Sequence, residues 1–159
     1  MKEVFIYDAI RSARTKAKPS GGLHELTPPE LLKPLYSALA SRNQLDPSRI
    51  AEIILGCVTQ HGEQAANIAK TSALYAGWPQ DIAGLTVHRF CSSSVDAIAL
   101  AGLKIAAGQS TAMVAGGIEM MSRVPMLSDH ARVFNDPDYG LAHQIRLMGS
   151  GADLIATRL

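Results

Sequence analysis

The sequence predicts an α/β fold in which a mostly parallel sheet has helices on both faces. Short apolar segments alternate along the chain with longer segments whose apolar residues recur at helical spacing. Glycine and proline follow the helical segments, as expected where each helix must end before the next strand begins. Because neighbouring parallel strands need crossover connections, this alternation predicts the order βαβαβαβ.

The apolar segments have the length and composition of strands. The first is EVFIYDAI, residues 3–10, which ends where charged and glycine-containing sequence begins. The others are RIAEIILGCV, which ends near Gly56, then GLTVHRF and TAMVAGG. Parallel sheets place function at the carboxyl ends of their strands, so we expect functional residues just after these segments.

The helical segments have recognisable starts and stops. The first begins at a capping box formed by Thr27 and Glu30 and extends to about Asn43. The second is AANIAKTSALYAG, and the third covers residues 92–107. The third segment is apolar over nearly its whole circumference, which predicts a helix buried on all sides.

The character of the sequence changes after Ser122. Proline, aspartate, asparagine and histidine are scattered through the following residues without a sustained period, which indicates a loop-rich excursion. A final helix is expected from near Gly151. We therefore divide the chain into an α/β region, residues 1–121, and the start of a loop region, residues 122–159.

Composition argues against several classes of partner. Lys and Arg number 15 against 14 Asp and Glu, and no run of five like charges occurs, so we expect neither nucleic acid nor a membrane surface as partner. No 18-residue apolar run is present and the N-terminus does not resemble a signal peptide, which predicts a cytoplasmic protein. The 2 cysteines are then expected to be free thiols.

Cys91 lies in VHRFCSSS, where the third strand is expected to turn into the third helix. The unpaired N–H groups and the positive dipole end of a helix N-terminus stabilise a thiolate and a developing oxyanion, which favours a nucleophile. Free cysteine is also among the most buried residue types, so local reasoning leaves a core role equally open. Cys57 follows a strand but no helix follows it directly, and we expect it to pack in the core.

Two pairs of residues formally offer a zinc site. Cys57 and His61 form a C-x3-H pair, and His88 and Cys91 form an H-x2-C pair. The spacing between the pairs is unlike that of compact zinc modules, so we expect no metal.

Several collinear motifs resemble the thiolases, which are acetyl-CoA acyltransferases and acetyltransferases. VHRFCSSSVDAI resembles the segment around the family's acylated cysteine, and AGGIEMMSRVPM its Gly-Gly-x-Glu-x-Met-Ser turn. RSARTK, GCVTQHGEQAANIAK and LMGSGADLIATR resemble three further family segments in the same order. The resemblance covers essentially the whole chain. A β-ketoacyl synthase shares the fold but lacks this turn.

The resemblance implies a chemistry and a set of site residues. Cys91 would be the nucleophile that takes the acyl group of an acyl-CoA or 3-ketoacyl-CoA, with coenzyme A as co-substrate and no bound cofactor. Met148, beside Leu147, would line the acyl or pantetheine pocket. Three positions depart from the family: Lys16 stands where the family usually has proline, Ser94 where many members have glycine, and Leu147 where some short-chain members have histidine.

The resemblance also implies a missing part. Thiolases are much longer, with a second half whose Gly-His-Pro histidine activates the nucleophile and whose Cys-x-Gly-x-Gly cysteine moves the α-proton. Neither motif occurs in the 159 residues. We expect the N-terminal half of a thiolase, partnered as a homo-oligomer or by a chain that supplies the C-terminal half. The alternative is a non-catalytic, truncated thiolase-fold interaction module.

Overall fold

A parallel sheet of three strands is the centre of the fold in the computed structural model, which describes residues 2–158. The strands are β1 (Glu52–Gly56), β2 (Ala83–Val87) and β3 (Met113–Gly117). Their order is β2-β1-β3, and both neighbours run parallel to the central β1. All three therefore end at one edge of the sheet, and the predicted α/β class with a parallel sheet is confirmed.

Within residues 2–158, one α-helix precedes the first strand, one lies in each connection between successive strands, and three lie in the region after the last strand. Glu30 accepts the backbone N–H of Thr27 at 2.7 Å, so the first helix begins with the predicted capping box. The last helix begins at Met148, before the predicted start near Gly151, and two short helices interrupt the segment predicted to be loop-rich. The helices are α1 (Pro28–Asn43), α2 (Ile68–Tyr75), α3 (Ser93–Ala106), α4 (Arg132–Asn135), α5 (Pro137–Ala142) and α6 (Met148–Arg158).

The core lies on both faces of β1. Ile53 and Leu55 pack on one face in a cluster that includes residues of α1 and α2. Ile54 points to the opposite face, where it packs with Ala97 and Ala101 of α3. Successive side chains of a strand alternate between faces, so burial of all three isoleucine and leucine side chains requires helices on both. The predicted placement of helices on both faces of the sheet is confirmed.

The strand predicted at residues 3–10 is absent from the structure. Phe5, Ile6 and Tyr7 are 65%, 80% and 89% exposed, and no strand of residues 2–158 pairs with this segment. The apolar pattern describes what the segment would bury, whereas a strand also needs a neighbour that accepts and donates its backbone hydrogen bonds. That prediction is wrong for the described residues because the neighbour is lacking.

The prediction that α3 is buried on all sides is also wrong. Ala97 and Ala101 face the sheet, but Val95, Ile98 and Leu103 are 66%, 49% and 59% exposed. The sheet covers one side of the helix, and in the described structure nothing comparable covers the other. The helix therefore has a second apolar face, formed by Val95, Ile98 and Leu103, that is open to solvent.

The chain divides into two compact units. The first ends at Met126 and contains the sheet with α1, α2 and α3, and the second begins at Leu127 and contains α4, α5 and α6. The boundary between residues 121 and 122, which rests on sequence character, stays a prediction about domains. Within residues 2–158, none of the helices combines the length and the apolar character that crossing a bilayer requires.

Candidate functional site

Cys91 lies in the turn that joins β2 to α3, and this turn is held by the side chain of Ser93. The Ser93 hydroxyl accepts the backbone N–H of Arg89 at 2.9 Å and donates to the carbonyl of Phe90 at 2.5 Å. The backbone N–H of Ser92 also donates to the Arg89 carbonyl at 3.1 Å. Ser93 is only 4% exposed, so the two bonds of its hydroxyl are partly shielded from water. The buried Ser93 side chain therefore fixes the backbone conformation around Cys91.

The residue before Cys91 has a strained backbone. Phe90 has a φ of 46°, in the left-handed region that bulky side chains rarely adopt. Its ring packs edge-on against His88, with ring centroids 4.8 Å apart. Non-glycine residues in this region cluster at active sites, where the surrounding structure holds them in place. Cys91, the next residue in the chain, is exposed to solvent.

Cys57 has the opposite environment. It is 1% exposed, and the side-chain amide of Gln64 donates to its sulfur at 3.4 Å. Burial, and secondarily the nearby Glu119 carboxylate, raise the pKa of the Cys57 thiol to about 12. Its thiolate is therefore scarce at neutral pH, and the predicted packing role of Cys57 is confirmed.

The structure does not assemble the zinc set considered from the sequence. Cys57 is buried while Cys91 is exposed on the turn after β2. Within residues 2–158, no three His, Cys, Asp or Glu side chains are grouped so that they could hold a metal ion. The C-x3-H and H-x2-C pairs thus gain no support as ligands.

Glu119 and the buried Gln64 form a partly buried hydrogen-bond network that sequence reasoning missed. The Glu119 carboxylate, just after β3, accepts the N–H of Val58 at 2.8 Å, the N–H of Thr59 at 3.3 Å and the Gln64 amide at 2.9 Å. Gln64 also donates to the Thr59 carbonyl at 2.9 Å and accepts the N–H of Met120 at 2.6 Å. The loop after β1 is therefore tied to the segment after β3. Two signals were available: both residues follow predicted strands, and both lie in segments that resemble family motifs, GCVTQHGEQAANIAK and AGGIEMMSRVPM.

Leu147 and Met148, the residues expected to line an acyl or pantetheine pocket, belong to the second unit. They are 55% and 76% exposed, and Met148 is the first residue of α6. Leu147 lines a groove of about 510 Å³ together with Phe134 and Leu141. Their role in substrate binding stays a prediction.

The family described as "Thiolase, N-terminal domain" matches residues 4–148. A steroid 3-ketoacyl-CoA thiolase of Mycobacterium tuberculosis is 38% identical over 128 residues, which is 80% of this chain and 31% of that protein. A 3-ketoacyl-CoA thiolase of Acinetobacter baumannii is 40% identical over 126 residues, 79% of this chain and 32% of that protein. The chain thus matches about a third of the length of these curated relatives.

A solved structure gives the same relationship in three dimensions. The crystal structure of the acetyl-CoA acetyltransferase of Bacillus anthracis superposes with a TM-score of 0.62 at 41% sequence identity. The match covers 66% of this chain and 26% of that one. At this identity the two chains are similar in sequence as well as in fold.

Proposed function

The chain belongs to the thiolase family, and from that premise we propose that Cys91 is the nucleophile of a thiolase-type acyl transfer. The observation that supports this most directly is the contrast between the two cysteines. Cys91 is exposed on a strained turn at the start of α3, whereas Cys57 is buried with a raised pKa. Only the first can meet a substrate from solvent.

The proposed reaction passes the acyl group through a thioester on Cys91. In degradation the sulfur attacks the 3-keto carbon of a 3-ketoacyl-CoA, the C2–C3 bond breaks, and acetyl-CoA leaves with a proton on its former C2. A second CoA thiol then takes the acyl group and returns the proton to Cys91. The synthetic direction reverses these steps as a Claisen condensation. Acyl-CoA and 3-ketoacyl-CoA are thus the proposed substrates, with CoA as co-substrate.

The complete reaction needs groups that these 159 residues do not contain. The family's Gly-His-Pro histidine and Cys-x-Gly-x-Gly cysteine are absent from the sequence. Loss of one member of an activated set commonly costs several orders of magnitude in rate. We therefore propose that turnover requires a partner thiolase half, supplied by a longer polypeptide or by a separate chain.

The acyl-transfer step can be tested on the chain alone. It is incubated with acetyl-CoA or acetoacetyl-CoA, quenched in acid, digested and analysed by peptide mass spectrometry. We expect an acetyl group on Cys91, lost on treatment with hydroxylamine and absent from Cys91→Ser. Cys57→Ser is the matched control and should acetylate like the wild type. Wild-type protein that never acetylates at Cys91, even with excess substrate, would leave the non-catalytic interaction module as the better explanation.

The requirement for a partner half gives a second test. The isolated chain should show no measurable thiolysis of acetoacetyl-CoA, followed as loss of enolate absorbance. Addition of a purified C-terminal thiolase half should restore turnover, and the same half with its Gly-His-Pro histidine replaced should not. Turnover at ordinary enzyme rates by the isolated chain would contradict the proposal.

A further inference from the structure

The last residues of β1 and β3 are glycines that lie against the first turn of α3. Gly56 and Gly117 are partners in the parallel register of the two strands. A Cβ atom on Gly56 would lie 2.5 Å from the Ser94 nitrogen and 2.7 Å from the Ser93 Cβ. A Cβ atom on Gly117 would overlap the Ser94 hydroxyl oxygen and lie 2.9 Å from the Gly56 carbonyl oxygen. Neither strand end has room for a side chain.

The need for glycine is local to these two strand ends. Gly116 precedes Gly117 in β3, and a Cβ atom there would meet only the Leu55 Cδ2 atom at 3.9 Å, an ordinary contact. Successive residues of a strand point to opposite faces, so Gly116 points away from α3. The crowding is therefore produced by the approach of α3 to the sheet.

The first turn of α3 is connected directly to the turn that presents Cys91. Ser93, which packs against Gly56, is the residue whose hydroxyl bonds both Arg89 and Phe90. A shift of Ser93 would consequently move the backbone on both sides of Cys91. Ser94, which replaces the glycine of many thiolases, fits only because Gly117 has no Cβ.

We infer that Gly56 and Gly117 are positioning residues for Cys91, and that the Gly117 and Ser94 pair sets how closely α3 approaches the sheet. This inference rests on the proposed role of Cys91 as nucleophile. Both glycines act through Ser93 and Ser94 in the first turn of α3. They act by letting the N-terminus of α3 lie close to the sheet and to the turn that carries Cys91, since the positive end of a helix favours negative charge placed near it.

The test is the rate at which iodoacetamide alkylates Cys91 at pH 7 in the full chain, read by peptide mass spectrometry with Cys57 as internal reference. Gly117→Ala should label Cys91 about threefold more slowly than wild type, the size of a typical helix-terminus effect. Gly116→Ala, the matched control in the same strand, should label at the wild-type rate. Adding Ser94→Gly to Gly117→Ala should recover part of the lost rate. Gly56→Ala meets backbone atoms, so Ser94→Gly should not rescue it.

The outcomes separate positioning from a loss of folding. A general loss of structure would expose Cys57 and increase its labelling. If Cys57 labelling rises while Cys91 labelling slows, and Ser94→Gly does not rescue the Cys91 rate, the result counts against the inference. Wild-type labelling of Cys91 in Gly117→Ala also overturns it. If Gly117→Ala does not fold, Ser94→Thr enlarges the other member of the pair at an exposed position and should slow Cys91 labelling likewise. Alkylation needs no acyl-CoA, so failure of Cys91 to accept an acetyl group would contradict the proposed function separately.

Discussion

The side-chain amide of Gln64 donates to the Glu119 carboxylate at 2.9 Å across two loops that are separated by 55 residues in sequence. Gln64 is fully buried, so each of its hydrogen bonds is made where water cannot substitute. Glu119 meanwhile satisfies two backbone N–H groups that would otherwise be unpaired at the end of β1. This pair therefore fixes the loop after β1 at the edge of the sheet where the strands end.

Replacement of this carboxylate should destabilise the first unit. In Glu119→Gln an amide replaces an acceptor-only carboxylate, so at least one N–H donor of Val58, Thr59 or Gln64 loses its partner. We expect the free energy of unfolding to fall by about 2 kcal/mol. Urea unfolding followed by the fluorescence of Trp78, which is 7% exposed, measures this loss. Glu3→Gln, at an exposed position, is the control, and equal stability of the two variants would contradict the role of Glu119.

Alkaline pH should destabilise the protein through Cys57. Its pKa is raised to about 12 in the folded state, against 9.0 for the ordinary thiol, so above pH 9 the unfolded chain releases a proton that the native state keeps. The contribution of Cys57 to the free energy of unfolding is therefore fully present below pH 9. It is lost as pH rises toward 12, by up to about 1.4 kcal/mol per pH unit. Cys57→Ala should lose less stability between pH 8 and 10.5 than wild type in urea titrations.

The slope of the free energy of unfolding against pH, and not its absolute value, identifies the ionising group. Ile53→Val removes a methyl group, and no titratable atom, from β1, the strand that ends just before Cys57, so it should lower the free energy of unfolding about equally at every pH. Tyr36, whose pKa burial raises to about 12, acts in the same direction and will leave some slope in Cys57→Ala. Parallel curves for wild type and Cys57→Ala would show that Cys57 does not ionise on unfolding in this range.

The features predicted correctly from sequence are those with local causes. The start of α1 depends on Thr27 and Glu30, three residues apart, and the helix begins at Pro28 as expected. The strand predicted at residues 3–10 and the burial of α3 depend on which other elements are present, and the apolar pattern contains no information about that. Those predictions failed because an apolar pattern shows which side chains a segment can bury. Whether they are buried depends on whether another element of the structure covers them.

The same distinction applies to the candidate site. Cys91 drew attention because it lies just before a recognisable helix, and its role as nucleophile stays a prediction that the family resemblance favours. The contact of Gly117 with Ser94 arises only from the register of β3 against β1 and the approach of α3. Neither the strand register nor the helix approach can be derived from the spacing of residues along the chain.

The exposed face of α3 should tolerate truncation that the buried face of the sheet does not. Ile98 is 49% exposed and Ile54 is fully buried, so the same change to alanine tests both environments. Ile54→Ala should lose about 2 to 5 kcal/mol of stability through lost burial and a cavity. Ile98→Ala should lose less than about 1 kcal/mol. A comparable loss in both, measured by urea unfolding at several protein concentrations, would mean that a second copy covers this face.

The N-terminal segment should exchange its amide hydrogens quickly. In the described part of the chain, no backbone carbonyl accepts an N–H of residues 3–8, although Lys2 donates to Ala106 at 3.0 Å. The amides of β1, by contrast, lie between two strands and should be protected to nearly the global free energy of unfolding. Hydrogen exchange read by mass spectrometry should therefore show residues 3–8 exchanged at the earliest times, while residues 53–56 stay protected. Protection of residues 3–8 comparable to that of β1 would mean that the segment pairs as a strand after all, with a neighbour such as a second copy.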